Sequence, residues 1–429
     1  MALLYGEGDF SHSIQIANMA GWDTDCNVGN VGAIMGVAVG LDGIPMRWRE
    51  PMNDVLVAAS VIGTRNLLDI PACADLFSAL GRQIAEEPAA SAKPRYHFSY
   101  AGATQGWLHR GQRGRIIALR QVPQGDGGAL QATVRKLNKK GEVRLFVKTY
   151  YHLEELSANY YGASFSPTIY PGQRVWARLH IPADAPSCLR AALYVHDDNG
   201  SQNYQGEGVP LTPGQWHGLG YQIPELRGAC LSEVGVALRN VNGEPWTGNV
   251  LLGSLDWGGA PRFSYDFSQE RHEYGAISQW TFLRGYWRLN DGAYHGSGSG
   301  ISETYSGDID WRDYTLTVQL TPLLGEHHNL NLRVQGARRS YAVGLAPDQQ
   351  LTLYKNAQGY RPVASVPLAW EHGRSYKISV IAQGNCLTVQ VGGETLLAWA
   401  DEDSPYIHGQ IGLSNFAGCH TRYEDVQIH

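Results

Sequence analysis

Glu86-Glu87-Pro88-Ala89-Ala90-Ser91-Ala92-Lys93-Pro94 divides this chain into two textures. Two prolines and a run of small residues break any hydrophobic period, which is the composition of a linker. Before it, apolar residues recur at helical steps. Phe10, Ile14, Ile16 and Ala17 do so within residues 9–19, with Asp9 placed as an N-cap, and Leu76, Leu80 and Ile84 do so within 70–86, with Pro71 in the first turn. Residues 54–60 continue the helical pattern. After the break, short alternating runs such as Val143-Arg-Leu-Phe-Val-Lys-Thr-Tyr150 and Arg174-Val-Trp-Ala-Arg-Leu-His-Ile181 are separated by Pro-Gly, Asn-Gly and Asp-Gly turn signals. The expected fold is multidomain: an all-α segment over residues 1–90, then two all-β antiparallel sandwiches of jelly-roll type over 91–260 and 261–429.

Within the helical part, Gly21-Trp22-Asp23-Thr24-Asp25-Cys26-Asn27 sets two carboxylates two residues apart, ahead of a helix expected over residues 27–41. The positive end of that helix favours their ionised form. Closely spaced hard oxygen ligands suit a Mg²⁺-type cation, which takes one or two protein carboxylates per site. A solvated acidic turn is the other reading. Gly29, Gly32, Ala33 and Gly36 fall at three- and four-residue steps; each glycine costs about 1 kcal/mol of helix propensity, so their number implies close packing against a neighbour.

Taken with Leu3-Leu4-Tyr5-Gly6-Glu7-Gly8-Asp9-Phe10, Gly40-Leu41-Asp42-Gly43-Ile44-Pro45 and Trp48, the acidic stretch resembles the ADP-ribosylglycohydrolase family over residues 1–85. In that family a G-x-D-T-D-x motif closes a two-metal Mg²⁺ site. The resemblance implies an all-helical domain hydrolysing a glycosidic bond to ADP-ribose or a related ribosyl group. Asp23, Asp25 and the position of Cys26 would be metal ligands, with Thr24, Glu7 and Asn27 in support and the catalytic residue unassigned. The chain departs from the family at Cys26, where the motif carries Thr and a thiol is the softer ligand. The family's other half-site, a Thr-Asp-Asp cluster, lies upstream of this sequence, so the expectation is a truncated, inactive hydrolase segment. The alternative is a non-catalytic carbohydrate- or protein-binding protein with a vestigial helical piece.

Composition limits the remaining classes. With 429 residues and 43% hydrophobic content the chain can build several full cores. A net charge of -6 gives no electrostatic reason to expect nucleic acid or anionic membrane as partner. The most apolar stretch, residues 28–41, is shorter than the ~20 residues that cross a bilayer. The first seven residues lack a secretory pattern, which favours the cytoplasm. Six cysteines show no C-x-x-C spacing, so reduced thiols are expected, with Cys188–Cys230 or Cys386–Cys419 as possible strand-joining pairs.

In the β region, Tyr170-Pro-Gly-Gln-Arg-Val-Trp176 and Leu211-Thr-Pro-Gly-Gln-Trp216 repeat one device, a Pro-Gly turn feeding a strand with Trp. The first unit resembles galactose-binding-like jelly rolls. The second, with its order W-x-D-Y-T-L, R-x-Y-A-V-G-L, G-x-x-Y-K-I and G-x-I-G-L, resembles concanavalin- and laminin-G-like sandwiches. The resemblances imply glycan-binding modules or, for the second unit, a spacer, and its motifs specify fold better than function. Most rings should be core, Trp216, Trp287 and Trp311 among them, while the exposed-looking connection carrying Asp197, Asp198, Asn199 and Tyr204 is the better glycan candidate. The adjacent His327 and His328 point to opposite faces of a strand and read as a solvated turn rather than a metal site.

Overall fold

The structure, a computed structural model, describes residues 1–125, 127–156, 162–273 and 276–429. The helical segment comprises α1 (Ala2–Tyr5), α2 (Phe10–Met19), α3 (Thr24–Val39), α4 (Met46–Arg49) and α5 (Ile70–Ile84). Asp9 Oδ1 accepts from His12 N at 2.7 Å and Asp69 Oδ1 from Ala72 N at 2.8 Å, so both carboxylates cap the helices that follow them. Pro71 occupies the first turn of α5. On α3 a Cβ at Gly32 would come within 3.3 Å of Ile14 Cδ1 and one at Gly36 within 3.7 Å of Ile44 Cδ1, so these two positions admit close neighbours; Gly29 faces open space. No described helix is long and apolar enough to cross a membrane.

Residues 54–60 are not helical, contrary to their sequence pattern. Asn53 and Asp54 take left-handed backbone angles (φ 47° and 59°), which stop any helix, and Val55–Val57 pairs antiparallel with Leu67–Asp69. The β-branched Val55 and Val57 suit that ladder, which a helical period over so short a run could not reveal.

The first sandwich stacks two antiparallel sheets. One runs Val209–Pro210, Leu189–Asp197, Leu231–Asn240, Gly141–Lys148, Leu108–Gln112, and the other Trp216–Gln222, Arg174–His180, Trp246–Gly258, Gly127–Leu137, Arg115–Gln124. Leu130, Val175, Leu193, Val236 and Leu252 fill the space between them. The two Pro-Gly devices come together here. Gly172 and Gly214 both turn through positive φ (85° and 75°), which glycine alone adopts cheaply, and the strands they feed are neighbours, Trp176 opposite Gly220.

The second sandwich also has two sheets. One runs Phe263–Ser264, His420–Ile428, Tyr314–Leu324, Tyr376–Gln383, Cys386–Val391, Glu394–Ala400, and the other Thr281–Arg284, Ser302–Ser306, Gln410–Asn415, His328–Gly336, Arg339–Ala346, Gln350–Ala357, Tyr360–Pro367. Leu226–Arg227, which precedes this unit in sequence, lies parallel to Phe263–Ser264 and extends its first sheet. His328 is fully buried, its ring bonded to Thr421 Oγ1 (2.8 Å) and Gly325 O (2.9 Å), so it belongs to the core and not to a solvated turn. All six cysteines are free.

Polar contacts seat the helical segment on the first sandwich. Gln105 is fully buried; its Oε1 accepts from His97 N (3.0 Å) and Phe98 N (2.9 Å), while Nε2 donates to Asp69 Oδ1 (3.1 Å). Asp54 Oδ2 accepts from Thr104 N (2.7 Å) and Gln105 N (2.8 Å), and Asn66 Nδ2 donates to Ser164 O (2.7 Å). Burial pushes the Asp69 carboxyl up to about 6 against the hydrogen bonds from Ala72 and Gln105.

Candidate functional site

Three aspartates precede helices in the N-terminal segment, and only two of them cap. Asp23, at the N-cap position of α3, sits in the left-handed region (φ 45°, ψ 57°) and makes no side-chain bond to the helix. Its carboxylate is therefore free to face that of Asp25. Ligand atoms of Asp23, Asp25 and Cys26 all lie within 4.8 Å of one another, on the surface, and no other such group of three occurs among the described residues. Neither aspartate is paired with a basic side chain. The charge of Asp23, and then that of Asp25, pushes the Cys26 thiol up.

The supporting residues divide. Asn27 Nδ2 donates to Trp22 O at 2.8 Å and Asn27 N to Asp23 O at 3.0 Å, so Asn27 fixes the turn that presents Asp23. Thr24 is the first residue of α3. Glu7 lies exposed on the turn between α1 and α2, with φ 54°, outside the three-residue group. Trp48 donates from Nε1 to Ser11 Oγ (2.8 Å), holding α4 on α2. Beside these elements opens a largely apolar cavity of about 520 Å³ lined by Phe10, Ile14, Val28, Leu41, Trp48 and Tyr100.

The donor set tests the fit to a divalent cation. Two unpaired carboxylates within ligand distance of each other are what a hard cation requires. A thiol is the softer donor, so Asp23 and Asp25 suit a Mg²⁺-type ion better than Cys26 does.

The connection expected to present glycan ligands turns Asp197 inward and leaves Ser201, Gln202 and Asn203 exposed. Asp197 is 4% exposed and accepts from Asn199 N (3.1 Å) and Cys230 N (2.9 Å). Asp198 accepts from Ser232 Oγ (2.5 Å), and Asn199 donates to Gly228 O (2.8 Å). Tyr204 packs on the sandwich core. The partners of Asp197, Asp198 and Asn199 include residues 228–232, distant in sequence.

Those partners belong to a buried cluster between the sandwiches that the sequence did not reveal. His152 Nδ1 lies 2.5 Å from Glu273 Oε1 and its Nε2 3.4 Å from Asp198 Oδ2 and 3.1 Å from Arg271 Nη2. Burial opposes charge on His152, but hydrogen bonds to Asp198 and Glu273 prevail and carry it up to about 9. Burial likewise works against ionised Asp198, and the bonds from His152 and Ser232 overcome it, holding that carboxyl at about 2. Fully buried Glu270, bonded to Ser278 and to Gln279 Nε2 (2.6 Å), is pushed up by burial to about 8. Through the His152–Glu273 contact the cluster joins the two units.

Residues 1–87 match the ADP-ribosylglycohydrolase family, which bears out the resemblance read from the acidic stretch. No curated protein matches the chain by sequence. Among solved structures, the carbohydrate binding module CBM66 from Bacillus subtilis aligns at 19% identity, covering 35% of this chain and 94% of that one, with a TM-score of 0.33. A Bacillus subtilis protein with a galectin-like fold aligns at 15% identity over 35% of this chain and 88% of its own, TM-score 0.29. The CBM22-1-CBM22-2 tandem domain from Paenibacillus barcinonensis aligns at 15% identity over 78% and 95%, TM-score 0.25.

Proposed function

We propose that residues 1–87 contribute the Asp23–Asp25 half of a Mg²⁺ site in an ADP-ribosylglycohydrolase-type hydrolase acting on an ADP-ribosyl or related ribosyl bond, with the two sandwiches as carbohydrate-recognition units. One observation carries the reading: an N-cap aspartate released from capping and set, unpaired, against a second carboxylate at the positive end of a sixteen-residue helix. Asp23 and Asp25 would hold the ion, which supplies Lewis-acid polarisation and a template for ribose hydroxyls when bound. Asn27 keeps the Trp22–Asp23 turn in place.

Titration calorimetry with MgCl₂ on the full chain tests this. Binding is expected in the wild type and at least about ten-fold weaker, or ~1.4 kcal/mol, in Asp23→Asn and Asp25→Asn. Uptake that ignores both substitutions overturns the assignment, and an assay of ADP-ribose release with the same variants, joined to an upstream Thr-Asp-Asp half-site, tests the reaction.

A second reading, a binding protein with a vestigial helical piece, is favoured by the exposure of that segment: Trp22 is 81% and Val37 89% exposed. Magnesium uptake lost in the two aspartate variants excludes it.

A further inference from the structure

We propose that the buried cluster joining the two β units is a pH-operated clasp, closed in acidic and neutral solution and loosening as the solution turns alkaline while both sandwiches stay folded.

The junction between the units has two unlike parts. In one, Tyr170 of the first unit packs edge-on to Trp311 of the second with ring centres 4.8 Å apart, and its hydroxyl accepts from Gly307 N at 3.1 Å. Arg262 N donates to Pro171 O at 2.8 Å. None of these contacts uses an ionised side chain, so pH leaves them in place.

The other part is built from ionisable groups. His152 of the first unit is 5% exposed and sits between two carboxylates, Glu273 of the second unit at 2.5 Å and Asp198 of its own at 3.4 Å. Tyr150 adds a second link across the junction, its hydroxyl accepting from Gln279 N at 3.1 Å and donating to Glu273 at 3.3 Å. Arg271 Nη2 comes within 3.1 Å of His152 Nε2 and the same guanidinium pairs with exposed Glu154 at 3.0 Å. Lys148 and Glu155 pair with each other at 2.9 Å, and His196 Nε2 stands 3.4 Å from the other oxygen of Asp198. Glu270 makes no ion pair among the described residues. It is bonded to Ser278 and Gln279, its titratable neighbours are Glu273, Cys230, Tyr150, Tyr265 and Tyr294, and His152 is the cation that acts on it.

Charge balance sets the direction. With His152 and Glu270 both protonated, the charges at the junction are Glu273 and Asp198 against His152 and Arg271. Loss of the His152 proton leaves a buried carboxylate short of its cation, and loss of the Glu270 proton adds a third carboxylate; a buried charge without a partner is strongly destabilising. Burial pushes Glu270 up to about 8, while burial opposes the charge on His152 and its bonds to Asp198 and Glu273 carry it up to about 9. Opening the junction returns both groups to water and to their ordinary values of 4.5 and 6.5, so closure loses its proton-linked support as pH rises through 8 and 9.

Cys230 reports the state of the clasp. Its side chain is 0% exposed and packs with Tyr150 and Phe165, so alkylation requires the junction to open. Cys419, 1% exposed in the second sandwich with its sulfur accepting from His327 N, is the reference. The full chain is treated with iodoacetamide and each cysteine read by peptide mass, and the ratio of Cys230 to Cys419 labelling is expected to rise about ten-fold between pH 6.5 and 9.5. His152→Gln and Glu270→Gln each remove one titrating proton and are each expected to cut that rise to about three-fold. A ratio that stays level in the wild type overturns the clasp, and so does an equal rise in both variants, which would place the titration elsewhere. Circular dichroism at pH 9.5 is expected to show both sandwiches intact, and loss of their signal overturns a local opening.

Discussion

Helix α3 runs for sixteen residues and buries one of them, Met35, whereas strand Ser302–Ser306 buries all five of its residues. Both segments are rich in small or apolar side chains or both, and the difference lies in what surrounds them. The strand is covered on both faces within a closed sandwich. The helix has α2 and Ile44 on its glycine side, with Ile34 53% and Val37 89% exposed elsewhere. Cohesion in this chain therefore resides in the β units, and the helical segment is held to them by hydrogen bonds and by a small apolar cluster in which Leu67 packs with Tyr150 and Phe165.

The largest expected effect is in the sandwiches. Leu330→Ala, at a fully buried position in the second unit, should cost about 3–5 kcal/mol in urea unfolding; a value near zero would erase the contrast. Next is the seat of the helical segment. Gln105→Ala leaves the His97 and Phe98 amides unmet and removes one of the two bonds to Asp69 Oδ1, so a loss of about 2–3 kcal/mol is expected, with faster proteolysis in residues 86–94 as the accompanying sign.

A pH effect follows in size. His152 is raised to about 9, so the stability it contributes is fully present below about pH 6.5 and is lost as pH rises through 9. Glu270, raised by burial to about 8, favours the fold while protonated and ceases to do so as pH rises through 8. Both act in one direction. The melting temperature should fall by roughly 2–4 °C between pH 6.5 and 9.5, and His152→Gln should flatten the slope. The smallest effect is Val37→Ala, within about 0.5 kcal/mol, and a larger loss would mean that this face of α3 is covered in solution.

The division of the chain was legible because hydrophobic period changes from helical to alternating steps across residues 86–94, and period follows from backbone geometry alone. Asp9 and Pro71 were legible for the same local reason. Val55–Val57 was not, since three residues fit either period and the left-handed turn before them leaves no pattern. Asp23 and Asp25 were found through their spacing. That Asp23 declines to cap depends on backbone angles, which spacing does not encode. The buried cluster was hidden for a plainer reason: His152 and Glu273 are far apart in sequence and meet only where two finished sandwiches join.

The parallel pairing of Leu226–Arg227 with Phe263–Ser264 bears on how this protein could be cut and recombined. Excising the second β unit at the Gly259–Pro261 connection would strip away the short segment bordering its outer rim, leaving raw amides open to pairing with another molecule. The two β units thus behave as a matched set, inherited or transplanted together, and a chimera exchanging one alone should be prone to self-association.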